Sequence, residues 1–372
     1  MKLSSANPPL IPAARFLAVY LFFGAGCLAA SGGSPVAETR LAFSWEYDDN
    51  VFEESSGRVN GGAGLVSLFT KIRFDSPGSL TLLNYSLGFK DHHRITDGET
   101  LRAGNILVNK FALDSEKRLG RSLSAGLGAE LKLRNIYRKN EVNLLSEEGY
   151  VRGSGMLFAR QRLGRQGTLT AAYRYSFFDF ETFRTFNYRA HSPSIKFSRP
   201  LAPSLSGAVT YIFTSRSYHR FIAAPGPEGH LVQLPQRQRD NHYQLDFSVA
   251  YSRRFLVNFI YSIQRNSSNN YGFSYWNNRF SLLVARKFPH QFFLNAYLFF
   301  ELKRYSDKVN EPIMVDIITE ENDNNGAIVK LSRPLGPALE ASLTFSLYRN
   351  ESSIRDLNFR KNLLNLGLTC RF

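Results

Sequence analysis

The stretch Tyr243-Gln-Leu-Asp-Phe-Ser-Val-Ala-Tyr251 decides the fold. Tyr243, Leu245, Phe247, Val249 and Tyr251 alternate with Gln244, Asp246, Ser248 and Ala250. A period of two is the strand signature, with one apolar and one polar face. The pattern recurs along the chain. Leu123, Ala125, Leu127, Ala129, Leu131 and Leu133 alternate with Ser124, Gly126, Gly128, Glu130, Lys132 and Arg134. Leu364, Leu366, Leu368, Cys370 and Phe372 alternate with Asn365, Gly367, Thr369 and Arg371. Near the other end, Leu41, Phe43, Trp45 and Tyr47 alternate with Ala42, Ser44, Glu46 and Asp48.

The connections between these strands come in two kinds that take turns. Short ones carry Pro or Gly, as in Asp75-Ser-Pro-Gly-Ser79, Leu119-Gly-Arg-Ser122, Leu163 to Gly167, Pro200 to Pro203, Phe288 to Gln291 and Pro334 to Pro337. Arg253-Arg254 makes a tighter one. Between them lie longer polar stretches: Val51 to Gly62, Lys139 to Gly149, Ile222 to Asn241, Lys308 to Asn325 and Glu351 to Lys361. A transmembrane barrel sorts its connections this way, with short periplasmic turns and long outer loops. Strands are expected near 40–48, 64–75, 80–91, 102–113, 122–137, 150–163, 168–180 and 187–199. They continue near 206–219, 242–253, 256–266, 276–287, 292–305, 325–334, 339–350 and 362–372. The expected fold is all-β: a transmembrane, antiparallel, up-and-down β-barrel of about 16 strands. Weak alternation near 102–113 and 150–163 leaves fourteen or eighteen strands open. Hydrocarbon satisfies no bare N–H or C=O, so the first and last strands should pair.

Composition agrees with a sheet of this kind. The chain has 372 residues, of which 43% are hydrophobic and 14% aromatic, with 31 Phe and 18 Tyr. That content excludes a disordered chain. A mean hydropathy of -0.24 excludes a bundle of transmembrane helices. Residues 1–30 read as a secretory signal and 31–372 as the barrel. Lys2 and Arg15 precede a short apolar run, Phe16 to Leu28, and small residues follow it. The run is too short for a membrane-spanning helix. Cys27 suggests a lipoprotein signal, but Gly24 stands where such signals carry Leu. Export leaves Cys370 as the mature chain's one cysteine, so no internal disulfide framework is expected. The expected location is the cell outer membrane.

Charge is the clearest functional signal. The chain carries 46 Lys+Arg against 31 Asp+Glu, a net +15. The alternation points Lys71, Arg73, Lys90, Lys132, Arg134, Arg174, Lys196, Arg216, Lys303, Lys330 and Arg371 into the lumen. Glu46, Asp48, Glu130, Asp246, Glu301 and Glu340 oppose them. A basic lumen concentrates anions. The same residues could instead be cross-strand ion pairs and solvated wall charges. Arg220, Arg237 and Arg239 lie in or beside the Ile222–Asn241 stretch, which could constrict the pore or bind acidic lipopolysaccharide.

Chemistry of other kinds finds little footing. Asp48-Asp49-Asn50 lacks calcium-loop spacing and reads as a strand-end turn. His92 and His93 are adjacent, so on a strand they face opposite ways. Gly153-Ser-Gly155 is not a nucleophile elbow, and no zinc or phosphate-loop signature appears. No enzyme, metal or cofactor is expected, although barrel hydrolases exist. Export argues against nucleic acid as the partner.

Two stretches carry a resemblance. One is Trp45-Glu-Tyr-Asp-Asp-Asn-Val-Phe52. The other is Tyr348-Arg-Asn-Glu-Ser-Ser353 with Phe359-Arg-Lys-Asn362 and Leu366-Gly-Leu-Thr-Cys-Arg-Phe372. Together they resemble porin-like outer-membrane β-barrel proteins whose genes accompany exopolysaccharide or capsule export. Surface-lipoprotein assembly barrels carry a similar opening motif. The family has an aromatic residue where this chain has Cys370. The resemblance implies export of an anionic polysaccharide or solute, with periplasmic export proteins, lipopolysaccharide and outer-membrane lipid as partners. It implies that Phe372, the terminal aromatic, is the signal read by the barrel assembly machinery. The alternative is a non-conducting surface-assembly or adhesin-like barrel that works through its outer loops.

Overall fold

The computed structural model describes residues 35–51, 53, 58–95, 105–137, 149–164, 167–226, 231–306, 325–350 and 359–372. The signal segment 1–30 lies outside these residues. Sixteen strands run in chain order: β1 (Val36–Asp48), β2 (Gly61–Ser76), β3 (Ser79–Ile95), β4 (Asn105–Arg118), β5 (Leu123–Tyr137), β6 (Tyr150–Arg162), β7 (Thr168–Phe180) and β8 (Tyr188–Ala202). They continue as β9 (Leu205–Pro225), β10 (Leu231–Ser252), β11 (Leu256–Ser268), β12 (Tyr275–Lys287), β13 (Phe293–Tyr305), β14 (Asn325–Pro334), β15 (Leu339–Asn350) and β16 (Phe359–Arg371). Each strand pairs with its chain neighbours, and β1 pairs with β16, so the sheet is a closed antiparallel barrel.

Residues directly opposite each other share a face, so the registers assign the two sides. Phe43 opposes Val66, Val66 opposes Phe89 and Phe89 opposes Leu107. Tyr173 opposes Ile195's neighbour Pro193, Phe247 opposes Tyr261, and Tyr261 opposes Phe280. This face is apolar and exposed: Leu157 is 64% accessible, Leu366 51% and Trp276 49%. The other face is concave. Lys90 of β3 reaches Glu46 of β1 across β2, and Arg160 of β6 reaches Glu116 of β4 across β5. Side chains meet over an intervening strand only where the sheet curves towards them.

An exposed apolar band around a closed barrel is the arrangement a bilayer requires. The burial pattern agrees. The largest fully buried side chains among the described residues are Leu131, Gln238, Asn50 and Asn277, three of them amides. A soluble core would be apolar.

The seam closes with side-chain help. Phe372 donates its N–H to the Thr39 carbonyl at 2.8 Å. At the other end of the seam, Asn362 donates its backbone N–H to Asp49 Oδ1 at 2.6 Å and its amide to Oδ2 at 2.5 Å. Asn50 donates Nδ2 to the Arg360 carbonyl at 3.1 Å, and Lys361 sits 3.0 Å from Asp48. The chain segments that carry the family resemblance meet at this clasp.

Two sequence expectations need correction. Ile222 to Asn241 is not a long loop: β9 runs to Pro225 and β10 starts at Leu231. β10 pairs with β11 only from Asp240 onward, so residues above it form a two-stranded ribbon with β9. Register shifts flank Pro235, which lacks the N–H a regular ladder needs. The second correction concerns the stretch Glu351 to Lys361. β16 already begins at Phe359, so Lys361 is a strand residue.

Candidate functional site

The concave face is the candidate site, and its chemistry follows from strand parity. Lys71 lies opposite Glu38, and Arg73 pairs with Asp75 at 2.5 Å. Lys90 pairs with Glu46 at 2.7 Å. Arg174 lies opposite Met156 and Ser192, and Lys196 opposite Thr170 and Thr210. Arg216 lies opposite Ala190 and Asp240. Lys303 is 3.9 Å from Glu301, and Lys330 is 3.9 Å from Glu340. Arg371 bonds Glu340 and lies opposite Arg40. Several of these cations therefore have carboxylate partners along the wall.

The structure brings Lys132 and Arg134 into a basic group. Lys132 lies directly between Lys110 of β4 and Arg152 of β6. Arg134 lies opposite Tyr150. Like charges directly opposite each other cost a sheet a few tenths to about 1 kcal/mol per pair. Glu130 relieves one end, 3.0 Å from Lys110. Aromatic rings supply the rest of the cradle: Lys132 lies 5.1 Å and Arg134 5.8 Å from the Tyr150 ring centre. A ring face holds a cation in place without cancelling its charge.

The same device recurs towards the end of the barrel where the longer connections lie. Tyr150 stacks on Phe178 at 4.8 Å, and Phe178 contacts Phe180 and Tyr188. A 3-10 turn, Arg184–Phe186, tucks Phe186 into this cluster. Arg216 lies over Tyr188 at 5.4 Å. Arg220 is ringed by Phe273 at 4.1 Å, Tyr218 at 5.1 Å and Phe186 at 5.2 Å. The connection after β11 locks this side: Asn270 donates to Gln238 Oε1 at 2.7 Å and accepts the Ala223 N–H at 2.7 Å.

Sequence reasoning missed several basic residues on this face. Lys110, Arg152 and Arg160 sit on β4 and β6, whose alternation is weak, and Lys361 and Arg220 fell in or beside stretches read as loops. Parity counted from a firm neighbour strand would have found them. Asp48-Asp49-Asn50 belongs to the seam clasp: Asp48 accepts the Asn50 N–H at 3.0 Å. Among the described residues, no group of three or more His, Cys, Asp and Glu is placed to hold a metal ion.

Comparison with known proteins bears on the architecture. No family model matches the chain, and no curated protein matches it. Among solved structures, OccAB1 of Acinetobacter baumannii is similar at a TM-score of 0.50 and 10% identity, covering 92% of this chain and 99% of that one. OccAB4 of Acinetobacter baumannii scores 0.48 at 11% identity, covering 92% and 99%. A structure described as a bacterial polysaccharide outer membrane secretin scores 0.42 at 10% identity, covering 91% and 98%. The likeness is one of fold. The chain folds as a closed, sixteen-stranded antiparallel β-barrel of the transmembrane kind.

Proposed function

We propose that the protein is an outer-membrane channel that passes an anionic solute or an anionic polysaccharide through a basic lumen. The observation that carries this reading is the row Lys110, Lys132 and Arg152, three cations directly opposite one another on consecutive strands, with Lys132 over the Tyr150 ring. A wall built only for stability would alternate signs here, because opposite charges across a sheet stabilise it. Barrels of sixteen strands are wide enough for an aqueous channel. A fixed positive field in such a channel raises local anion concentration. On this reading the first 30 residues are a cleaved signal, and Phe372 directs assembly. Liposome swelling tests the proposal. Vesicles carrying the protein should admit a monomeric uronate faster than an uncharged sugar of the same size. Lys132→Glu with Arg152→Glu should abolish that preference while the neutral sugar still enters. Equal uptake of both sugars by the unmodified protein would contradict it.

One observation favours a second reading, a surface barrel that binds a partner. The β9–β10 ribbon exposes Phe221, Val232 and Leu234 beyond the paired part of its neighbours. Replacing all three with Ser would abolish partner binding and leave sugar uptake unchanged if the ribbon alone is the working part.

A further inference from the structure

At the short-turn end, β4 leaves the barrel as Glu116-Lys-Arg118 and turns through Gly120-Arg121-Ser122, while β6 ends Arg160-Gln-Arg162. Parity puts Glu116, Arg118, Arg160 and Arg162 on the concave face, because Glu116 opposes Gly126, which opposes Phe158. With the β2–β3 turn they enclose a cavity of about 330 Å³. Both carboxylates in it are already engaged. Glu116 takes two bonds from Arg160 at 2.8 Å and one from Ser124 at 2.6 Å, and Asp75 is held by Arg73. Arg118, Arg121 and Arg162 line the same cavity, are exposed, and have no acidic partner among the described residues.

Three such guanidiniums around one concavity form a receptor for oxyanions, because each presents several N–H donors in a planar fork. The inward position of Arg118 and Arg162 separates them from the lipid headgroups outside the barrel. Short turns mark the periplasmic end of such barrels. We propose that this cavity binds a carboxylate- or phosphate-bearing group of a solute at the periplasmic mouth. Its role as an entry subsite rests on the channel reading above; the binding itself does not.

Calorimetry on the purified, detergent-solubilised protein tests the binding, with tripolyphosphate as the phosphate probe and an oligogalacturonate as the carboxylate probe. At least one should bind at low salt. The variant carrying Arg118→Ala, Arg121→Ala and Arg162→Ala should bind it about tenfold more weakly or worse. Glu116→Gln, which releases Arg160 from its carboxylate, should tighten it. Arg121→Gln alone, on an exposed turn, serves if the triple variant does not fold. No binding of either probe, or equal binding by unmodified and variant proteins, would overturn the proposal. In bilayers, the bound probe should block conductance at lower concentration from the periplasmic side, and that asymmetry should vanish in the variant. A barrel that binds the probe through these arginines yet conducts nothing would sink the channel reading and leave the subsite standing.

Discussion

Gly153 and Phe177 occupy one cross-strand position, and the pair shows how single residues set this wall. A Cβ on Gly153 would fall 2.5 Å from Phe177 Cζ, so the ring lies where a side chain would be. Phe177 is only 7% exposed, whereas Leu157 on the same face is 64% accessible. Gly153→Ala should displace the ring and cost about 1–3 kcal/mol, as overpacking does. Urea unfolding in detergent micelles would measure it. Adding Phe177→Ala to that variant should recover part of the loss, because the clash partner is gone. At Lys132 the balance is different. Lys132→Met removes a cation from between two others and should leave the barrel as stable or slightly more so. A marked fall in its unfolding midpoint would show that the row is structural.

At the scale of elements, the seam and the ribbon carry the predictions. Asp49 and Asn362 exchange three hydrogen bonds across β1 and β16, two through side chains and one from the Asp49 N–H to the Asn362 carbonyl. Asp49→Ala and Asn362→Ala should each destabilise the folded barrel. Their double variant should cost less than the sum, with a coupling of about 0.5–3 kcal/mol. Additive losses would mean the clasp is not a unit. Asn270→Ala removes the bond to Gln238 and the acceptor for the Ala223 N–H. It should raise hydrogen exchange in the β9–β10 ribbon without changing it in β1 or β16. The strands were legible in the sequence to different degrees for physical reasons. β5, β10 and β16 alternate cleanly because one face meets lipid and the other water. β4 and β6 do not: Gly153 gives its place to a neighbour's ring, and Ser115 and Lys117 fall on the outward face towards the turn. The upper β9–β10 ribbon was misread as a loop because Pro225, Pro227 and Pro235 signal breaks in a strand. Pro225 at the end of β9 and Pro235 beside a register shift in β10 are accommodated where the ribbon extends beyond the flanking strands. Parity alone was the ground for putting cations of β2, β3, β5, β7, β8, β9, β13, β14 and β16 on one polar face. The aromatic cradle was not read, because it depends on the register between neighbouring strands, which alternation within one strand does not set.

For the whole molecule, closure and charge are the two facts that function must use. Closure leaves the barrel wall without an open edge and gives the apolar face to the bilayer. On the reading proposed above the concave face carries excess positive charge, and several of its cations lie over aromatic rings. A channel lined this way selects by sign and weakens with ionic strength, since screening shortens the reach of each cation. The most direct measurement is the zero-current potential of the purified protein in a planar bilayer under a potassium chloride gradient. The account predicts a potential of the sign set by chloride, largest at low salt and reduced when Lys132 and Arg152 are both changed to Glu. A potential set by potassium, or a membrane that stays closed, would contradict it.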